Sequence, residues 1–246
     1  MYDTFASPDR SPAVAEDADT VRQMREQFFT IASHDLQHPI SNIYAAQRLL
    51  RETTSGDPAA TELLDEIELS LEVMQEIIRD YLETAALQAG ALDLRLETAD
   101  VEEMLWAAAA QHAAAAQKKD IVVSIPIAEG CALADPRRLA QAVNNLLSNA
   151  LKYSPPGSQI RLTGMACGDR VRISVQDQGP GIPPAERARL FSQFGRTSAR
   201  PTGGENSTGL GLWIVRQLMA MQNGRVGVDC PPEGGSIFWL DLPAAP

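Results

Sequence analysis

The stretch from residue 141 to residue 212 constrains the chain most, because two glycine-rich turns interrupt a regular pattern of predicted helices and strands. An amphipathic helix comes first, and its apolar side carries Leu146, Leu147, Ala150 and Leu151. Two alternating strands follow, then the turn DQGPGI, a polar loop and a second turn that opens an apolar helix over 212–221. Glycine lets a backbone approach a ligand closely, and a helix N-terminus binds phosphate, so the pattern favours a nucleotide-binding domain.

Candidate ligands for a nucleotide and its metal ion begin on the amphipathic helix. Asn145 and Asn149 lie four residues apart and therefore share one face of that helix. The side-chain oxygen of Asn149 suits Mg²⁺, which prefers few protein ligands together with phosphates and water. Lys152, three residues further on, is placed to reach a phosphate as a point charge.

The two glycine-rich turns supply the other candidates. Asp177 ends an alternating strand, where its carboxylate can accept a hydrogen bond from the exocyclic amine of a base. Gly179 and Gly181 follow at once and allow close approach of the backbone. Gly209 and Gly211 precede the helix over 212–221, so that backbone N–H groups can face phosphate. Each motif alone is more often an ordinary turn, because short motifs match by chance.

Taken in order, these motifs resemble those of the GHKL ATPases, which include histidine kinases and gyrase-type enzymes. NLLSNALKYS is similar to the N box of that family, DQGPGI to its first glycine box, LFSQFGR to its F box and STGLGL to its second glycine box. The resemblance covers residues 140–220 and implies a Bergerat-type α/β sandwich with a mobile lid over 195–208. In that fold Asp177 binds adenine and Asn149 holds Mg²⁺.

The same resemblance implies a wider set of ATP-binding residues. Arg196, which follows the F box, is equally well explained as a surface residue of the lid. Ser207 departs from the family, since it replaces the first glycine of the second glycine box. The full set is Asn145, Asn149, Lys152, Tyr153, Asp177, Gly179, Gly181, Ile182, Arg196, Thr208, Gly209, Leu210, Gly211 and Leu212.

Upstream of these motifs the sequence predicts a helical hairpin. Apolar residues recur every three or four positions from Asp19 onward, and again in a second helix over 59–88, with the turn-like segment TTSGDPAA between them. One hairpin cannot bury two apolar seams, which predicts a homodimeric four-helix bundle. The expected seam includes Ile40, Ile43, Ala46 and Leu50 in the first helix, and Leu64, Ile67, Leu71, Met74, Ile78, Tyr81 and Ala85 in the second.

The predicted fold class is therefore α+β. A polar, acidic segment over 1–18 is expected to be a disordered tail. It is followed by a dimerisation and phosphotransfer domain over 19–89 and an ATP-binding domain over 91–246, joined near Gly90.

The segment IASHDLQHPI lies on the first predicted helix, which Pro39 is expected to kink just beyond His34. The segment resembles the H box of histidine kinases, SHELRTPL in its common form. A helical hairpin directly before an ATPase domain is the arrangement of those kinases. The resemblance implies a protein histidine kinase, a phosphotransferase that uses ATP and Mg²⁺. His34 is then the phosphoacceptor and Asp35 its neighbouring acid, and an aspartate on the receiver domain of a separate response regulator receives the phosphoryl group.

Other interpretations of this segment stay open. The run from His34 to His38 also resembles an HExxH zinc pair, although catalytic zinc normally takes a third protein ligand. His38 is an alternative phosphoacceptor. Gln37 and His38 also depart from the family, which has a basic residue and Thr or Asn there, so the resemblance does not extend to phosphatase activity. The alternative functions are an ATP-binding dimeric scaffold that docks response regulators without kinase activity, and a clamp driven by ATP hydrolysis.

Charge and composition narrow the range of possible partners and locations for the protein. A net charge of −11 and a sequence pI near 4.7 argue against nucleic acid as a partner, because nucleic-acid binding needs a basic surface. No apolar run reaches the about 20 residues of a membrane span, and the N-terminus lacks a signal-peptide pattern. The three cysteines are scattered, without a CxxC pair. We therefore expect a cytoplasmic protein with no membrane segment in this chain.

The remaining C-terminal sequence predicts further elements. Asp100 is expected to cap a helix that continues through the alanine-rich run 107–116, in which His112 is structural or exposed. Lys118 and Lys119 are expected to form a solvated helix end. Asp135-Pro136 is expected to start the Asn-bearing helix. Strands are expected at 91–98, 121–127, 132–134, 159–166, 170–176, 225–230 and 236–242.

Overall fold

The computed structural model describes residues 40–54, 57–203 and 208–245. The chain divides into two units, with the boundary between Asp93 and Leu94. Two helices form the described part of the first unit and an α/β sandwich forms the second, which confirms the predicted fold class. The predicted tail over 1–18 and the helix around His34 lie outside the described residues.

The hairpin of the first unit has well-defined ends. Residues 40–53 are helical and form α1, and α2 runs over Pro58–Gln88. Asp57 begins α2, because its carboxylate accepts a hydrogen bond at 3.0 Å from the backbone of the first turn. Gly90, with a φ of +62°, follows the end of α2 in the left-handed conformation that glycine adopts most easily.

A polar layer joins the two helices of the hairpin. The buried side chain of Gln47 on α1 donates a hydrogen bond to the carbonyl oxygen of Leu64 on α2 at 3.0 Å. One turn further along α1, Arg51 pairs with Asp65 at 2.7 Å and with Glu68 at 2.9 Å. Exposed ion pairs add little stability, so the buried amide does most to fix the register of α1 against α2.

The predicted apolar seam divides into two stripes. Ile40, Leu64 and Leu71 are buried within the single chain. The other large residues of the seam are exposed or only partly covered, and we call the exposed ones the outer stripe: Ile43, Leu50, Ile67, Met74 and Tyr81. Despite these apolar stripes, none of the described helices has the length and hydropathy needed to cross a membrane.

The second unit packs three longer helices against one mixed sheet. Within the described residues the sheet has five strands in the order β2-β4-β5-β7-β6, with β2 parallel to β4 and the other neighbours antiparallel. A separate antiparallel pair is formed by β1 and β3. The elements are β1 Glu97–Asp100, α3 Val101–Gln111, α4 Ala113–Lys118, β2 Val122–Ala128, β3 Cys131–Ala134, α5 Pro136–Tyr153, β4 Gln159–Cys167, β5 Arg170–Asp177, α6 Pro184–Arg187, α7 Gly211–Met221, β6 Arg225–Asp229 and β7 Ser236–Pro243.

The core of this unit lies between the sheet and the helices α3, α5 and α7. Alternate residues of β5 are buried, and α5 buries a complete stripe of leucine, alanine and valine residues. Leu146 and Leu147 are fully buried, and each such side chain contributes about 1.5–3 kcal/mol to stability. The centre of the core is therefore formed by α5, which carries Asn145, Asn149, Lys152 and Tyr153, and by β5, which ends in Asp177.

Buried polar contacts fix the start of α5. Asp135 is 2% exposed, and its carboxylate accepts hydrogen bonds from the backbone N–H groups of Arg137 and Arg95 at 3.1 and 3.0 Å. Burial acts to raise the pKa of Asp135, but the backbone hydrogen bonds lower it below its ordinary value. The backbone N–H of Asp135 donates at 2.8 Å to the side chain of Gln222, which follows α7. The start of α5 and the end of α7 are thus joined.

Three sequence predictions are wrong in detail. The strand predicted over 91–98 begins only at Glu97, since its partner β3 is four residues long and the Arg95 N–H donates to Asp135. The helix through the alanine-rich run is interrupted at His112. Lys119 is not a solvated helix end, because its Nζ donates a hydrogen bond at 2.7 Å to the carbonyl oxygen of Leu151.

His112 predicts a pH dependence of stability. Burial lowers the pKa of His112 below its usual value, and a hydrogen bond with Asn144 only partly opposes this. As the pH falls below about 6.5, the unfolded chain takes up a proton that the folded chain resists. The free energy of unfolding should therefore fall between about pH 7.5 and about pH 5.5, and part of that fall should disappear in His112→Gln.

The measurement is denaturant unfolding of both proteins at the two pH values. Because all other titrating groups are shared, the difference between the two pH dependences isolates His112. Equal pH dependence in the two proteins would contradict the prediction.

Candidate functional site

Asp177 occupies a buried position at the end of β5. Its side chain is 5% exposed, and its Oδ1 accepts hydrogen bonds from the backbone N–H groups of Gly179 at 2.8 Å and Ser236 at 3.2 Å. Burial raises the pKa of this carboxyl above its ordinary value, and the backbone hydrogen bonds oppose that shift. The carboxylate is thus held rigidly, in a setting where a further hydrogen-bond donor would be favourable.

Two turns meet around Asp177 without room for side chains. A Cβ at Gly179 would lie 2.9 Å from Oδ1 of Asp177 and 3.0 Å from the carbonyl oxygen of Tyr153. A Cβ at Gly235 would overlap the carbonyl oxygen of Asp177. The Gly235 N–H also donates to the carbonyl oxygen of Gly179 at 3.1 Å. The walls of this site are therefore main chain, which suits a flat ring approached at close range.

The Asn-bearing helix borders the second glycine-rich turn. Asn145, Asn149, Lys152 and Tyr153 all lie on α5, and all are partly exposed. The side-chain amide of Asn145 donates to the carbonyl oxygen of Gly211 at 3.4 Å, at the start of α7. The α5 helix thus connects the Asp177 side of the site, through Tyr153, with the second glycine-rich turn.

The start of α7 is described from Thr208 onward, and Oγ1 of Thr208 accepts the N–H of Leu210, the residue before the helix, at 3.3 Å. No side chain among the described residues caps α7, whereas aspartates cap α3 and α5. Gly209 just before it has a φ of +72° and lies against the backbone of Phe194, where a Cβ would come within 3.2 Å. Uncapped N–H groups and the positive end of the helix dipole together favour a phosphate.

The predicted lid is described only in part, because residues 204–207 lie outside the described residues. Arg196 is exposed. The backbone N–H of Ser198 donates at 2.9 Å to the side chain of Glu186, which anchors the beginning of the segment. Phe194 has a φ of +58°, a strained value for a bulky residue, at the junction with Gly209. The lid's mobility stays a prediction.

The predicted site residues fall into two groups that α5 links. Gly179, whose N–H donates to Asp177, lies against the backbone of Tyr153, while Gly211 accepts a hydrogen bond from Asn145. The neighbours of these residues in sequence complete the two turns: Gly181 and the buried Ile182 in the first, Thr208, Gly209, Leu210 and Leu212 in the second. His34 and Asp35 lie outside the described residues, so their roles stay predictions.

Sequence reasoning missed Gly235 and Ser236. The motif PPEGG before them reads as a hairpin turn, and only the pairing of Ser236 with Asp177 across β7 and β5 brings it to the site. The available signal was a pair of glycines directly before a strand, which often marks a close backbone approach.

A metal ion at this site would depend on few protein ligands. Among the described residues no group of three His, Cys, Asp or Glu side chains is placed to hold one. The amide oxygen of Asn149, together with phosphate oxygens and water, is a donor set that fits Mg²⁺ rather than zinc.

Comparison with known proteins gives two family matches. Residues 24–90 match "His Kinase A (phospho-acceptor) domain", and residues 134–246 match "Histidine kinase-, DNA gyrase B-, and HSP90-like ATPase". The alginate biosynthesis sensor protein KinB of Pseudomonas aeruginosa is 28% identical over 90% of this chain and 37% of its own length. The swarming motility regulation sensor protein RssA of Serratia marcescens is 31% identical over 92% of this chain and 48% of its own. The chain spans less than half the length of both relatives.

Two solved structures are also similar to this chain. Full-length ShkA in complex with AMPPNP is 31% identical, with a TM-score of 0.71, over 89% of this chain and 46% of that one. The mycobacterial sensor histidine kinase MprB is 29% identical, with a TM-score of 0.55, over 61% of this chain and 99% of that one.

Asp177→Asn should weaken ligand binding without lowering the stability of the protein. The amide oxygen can still accept from Gly179 and Ser236, and the cost of burying an ionised carboxylate disappears, so stability should be kept or raised. Loss of the charged acceptor should weaken binding of AMPPNP by about tenfold to a hundredfold. Calorimetry gives the affinity and denaturant unfolding gives the stability.

The matched control is Asp169→Asn, which changes an exposed aspartate in the turn between β4 and β5. It should leave both quantities unchanged. Unaltered affinity in Asp177→Asn would remove the carboxylate from the binding site.

Proposed function

The chain belongs to the histidine kinase family of two-component sensor proteins, and from this premise we propose that it is an ATP-dependent kinase that phosphorylates itself on His34. The main support for the proposal is that both parts of such a kinase occur in this one chain. The phosphoacceptor match over 24–90 contains the His34-Asp35 pair, and the ATPase match over 134–246 contains the buried Asp177 and the uncapped start of α7.

Nucleotide binding would use both groups of site residues. Asp177 accepts the exocyclic amine of adenine, between the backbone walls at Gly179 and Gly235. The phosphates lie toward the N-terminus of α7, where its N–H groups and Lys152 stabilise negative charge. Mg²⁺, held by Asn149 and phosphate oxygens, would supply further neutralisation of that charge.

The transfer step would use the imidazole of His34 as the nucleophile. Its nitrogen forms a bond to the γ-phosphorus of ATP while the bond from that phosphorus to the oxygen of ADP breaks. Asp35 holds the N–H on the other ring nitrogen, so that the attacking nitrogen stays unprotonated and the imidazolium that forms is stabilised.

Phosphohistidine would then serve as donor to an aspartate on a separate response regulator. The family acts in two-component systems, which supports this part of the proposal. The three cysteines are free thiols, which suits the reducing cytoplasm that we propose as its location.

His34→Ala should abolish labelling of the protein by ATP that carries labelled γ-phosphate, because the nucleophile is lost. The label on the wild-type protein should be labile in acid and stable in base, as expected for phosphohistidine. His38→Ala is the matched control, since it removes the neighbouring histidine of the same segment and should leave labelling intact.

Labelling that persists in His34→Ala and disappears in His38→Ala would move the phosphoacceptor to His38. A wild-type protein that binds ATP but is never labelled would support the non-enzymatic scaffold instead.

We also propose that the first unit is the dimer interface. The outer stripe leaves large apolar side chains exposed in the single chain, among them Met74 at 42% and Tyr81 at 67%. Its members on α2, which are Ile67, Met74 and Tyr81, recur at helical spacing and so lie on one side of that helix. A hairpin with such a face is stabilised by pairing with a second copy. The hydrogen bond of Gln47 and the ion pairs of Arg51 between α1 and α2 do not involve these residues.

Charged residues on the outer stripe should therefore disrupt the dimer. The double change Ile67→Glu and Met74→Glu places carboxylates in the proposed interface, while each chain can keep its hairpin because both positions are exposed within it. Light scattering should give a monomer where the wild-type protein is a dimer, with helix content unchanged by circular dichroism.

Met165→Glu, at an exposed apolar position of β4 in the second unit, is the matched control and should stay dimeric. A double variant that dimerises as tightly as the wild type would place the interface elsewhere.

A further inference from the structure

The end of α5 is capped from two sides. A helix leaves its last four carbonyl groups without partners inside the helix. Here the carbonyl of Ala150 accepts the N–H of Ser154 at 2.9 Å, and the carbonyl of Leu151 accepts Nζ of Lys119 at 2.7 Å. Lys119 follows α4 in the chain, so one cap comes from the helical layer of the unit.

The other cap comes from the segment after the F box. The backbone N–H of Thr202 donates to the carbonyl oxygen of Lys152 at 2.9 Å. The hydroxyl of Thr202 donates to the carbonyl oxygen of Ser154 at 2.7 Å, and lies 3.2 Å from that of Lys152. Ser154 is fully buried, whereas Thr202 is exposed, so a surface loop reaches an interior acceptor.

We propose that Thr202 is a positioning residue of the nucleotide site. It fixes the segment 198–202 to the end of α5 that carries Asn149 and Lys152, so that this segment and the phosphate-binding end of the helix keep one relative position. The inference rests on the proposed binding of ATP, and nothing in the motifs themselves assigns Thr202 a role.

Thr202 is connected to the site through the last residues of α5. Lys152 offers its carbonyl to Thr202 and its side chain to the proposed phosphates. The next carbonyl along the helix, that of Tyr153, lies against Gly179 on the adenine side. The other end of the segment is held as well, since the N–H of Ser198 donates to Glu186 at 2.9 Å. Loosening Thr202 would therefore release the segment at one end, whereas Lys119 would still hold the end of α5 through the carbonyl oxygens of Leu151 and Lys152.

A plain helix cap is the simpler role for the same contacts. In that case loss of the hydroxyl would lower stability and leave ligand binding untouched. A positioning role predicts weaker ligand binding in addition, because the segment 198–202 then loses its fixed place beside the end of α5 that carries Asn149 and Lys152.

Thr202→Val tests the proposal in the full chain. Valine keeps the shape and the backbone N–H and removes only the hydroxyl donor, and Thr202→Ser, which keeps the donor, is the matched control. A net hydrogen bond of ordinary strength predicts about three- to tenfold faster amide exchange over 198–202 in nucleotide-free Thr202→Val. Calorimetry should show AMPPNP affinity weakened by a similar factor, and Thr202→Ser should behave like the wild type in both measurements.

Exchange that is equally slow in Thr202→Val would overturn the attachment itself. Faster exchange with unaltered AMPPNP affinity, or a lowered thermal midpoint alone, would reduce Thr202 to a helix cap and overturn the positioning role. A wild-type protein that does not bind AMPPNP would overturn the proposed function together with the positioning role, and the exchange comparison would still decide whether the segment is attached.

Discussion

Removing the carboxylate of Asp177 from water raises its free energy, and the fold offsets this cost with backbone N–H groups from two separate turns. That arrangement requires β7 to pair with β5 in a register that sets Ser236 opposite Asp177. It also requires glycine at 179 and 235, because a side chain at either position would meet the carboxylate or its backbone. The pairing of β5 with β7 and the two turns thus all contribute to placing one buried carboxylate.

The α5 helix connects the surroundings of Asp177 to the rest of the second unit. Its start is joined to the end of α7 through Asp135 and Gln222, and its buried stripe packs between α7 and β5. Its last turn meets Gly179. The two groups of predicted site residues, at Gly179 and at Gly211, therefore both contact one helix that is fixed at its two ends.

Most elements of the second unit were predictable from the sequence because their signals are local. The alternation along β5, the Asp135-Pro136 start of α5 and the two glycine-rich turns each depend on residues close in the chain. Contacts to main-chain atoms were not predictable. The meeting of Gly235 with Asp177, and of Lys119 with Leu151, involves distant partners whose side chains give no sign of it.

The helical hairpin shows a second limit of prediction from the sequence. Helical periodicity correctly placed apolar residues together on α1 and α2, but it cannot tell which neighbour covers each one. Ile40 and Leu71 face inward, whereas Ile67 and Tyr81 are left exposed, although all four belong to the predicted apolar seams. The roles of His34 and Asp35 remain predictions, since both residues lie outside the described part of the chain.

The acceptors at the end of α5 are all carbonyl oxygens, and this determines what mutagenesis can detect. An alanine scan along the helix would replace the side chains of Lys152 and Tyr153 and leave every one of these contacts in place. Such a scan would report only the contribution of the side chains at the end of the helix. The coupling between the last turn and its surroundings would become visible only through substitutions on the donor side, at Lys119 and Thr202, far from α5 in the sequence.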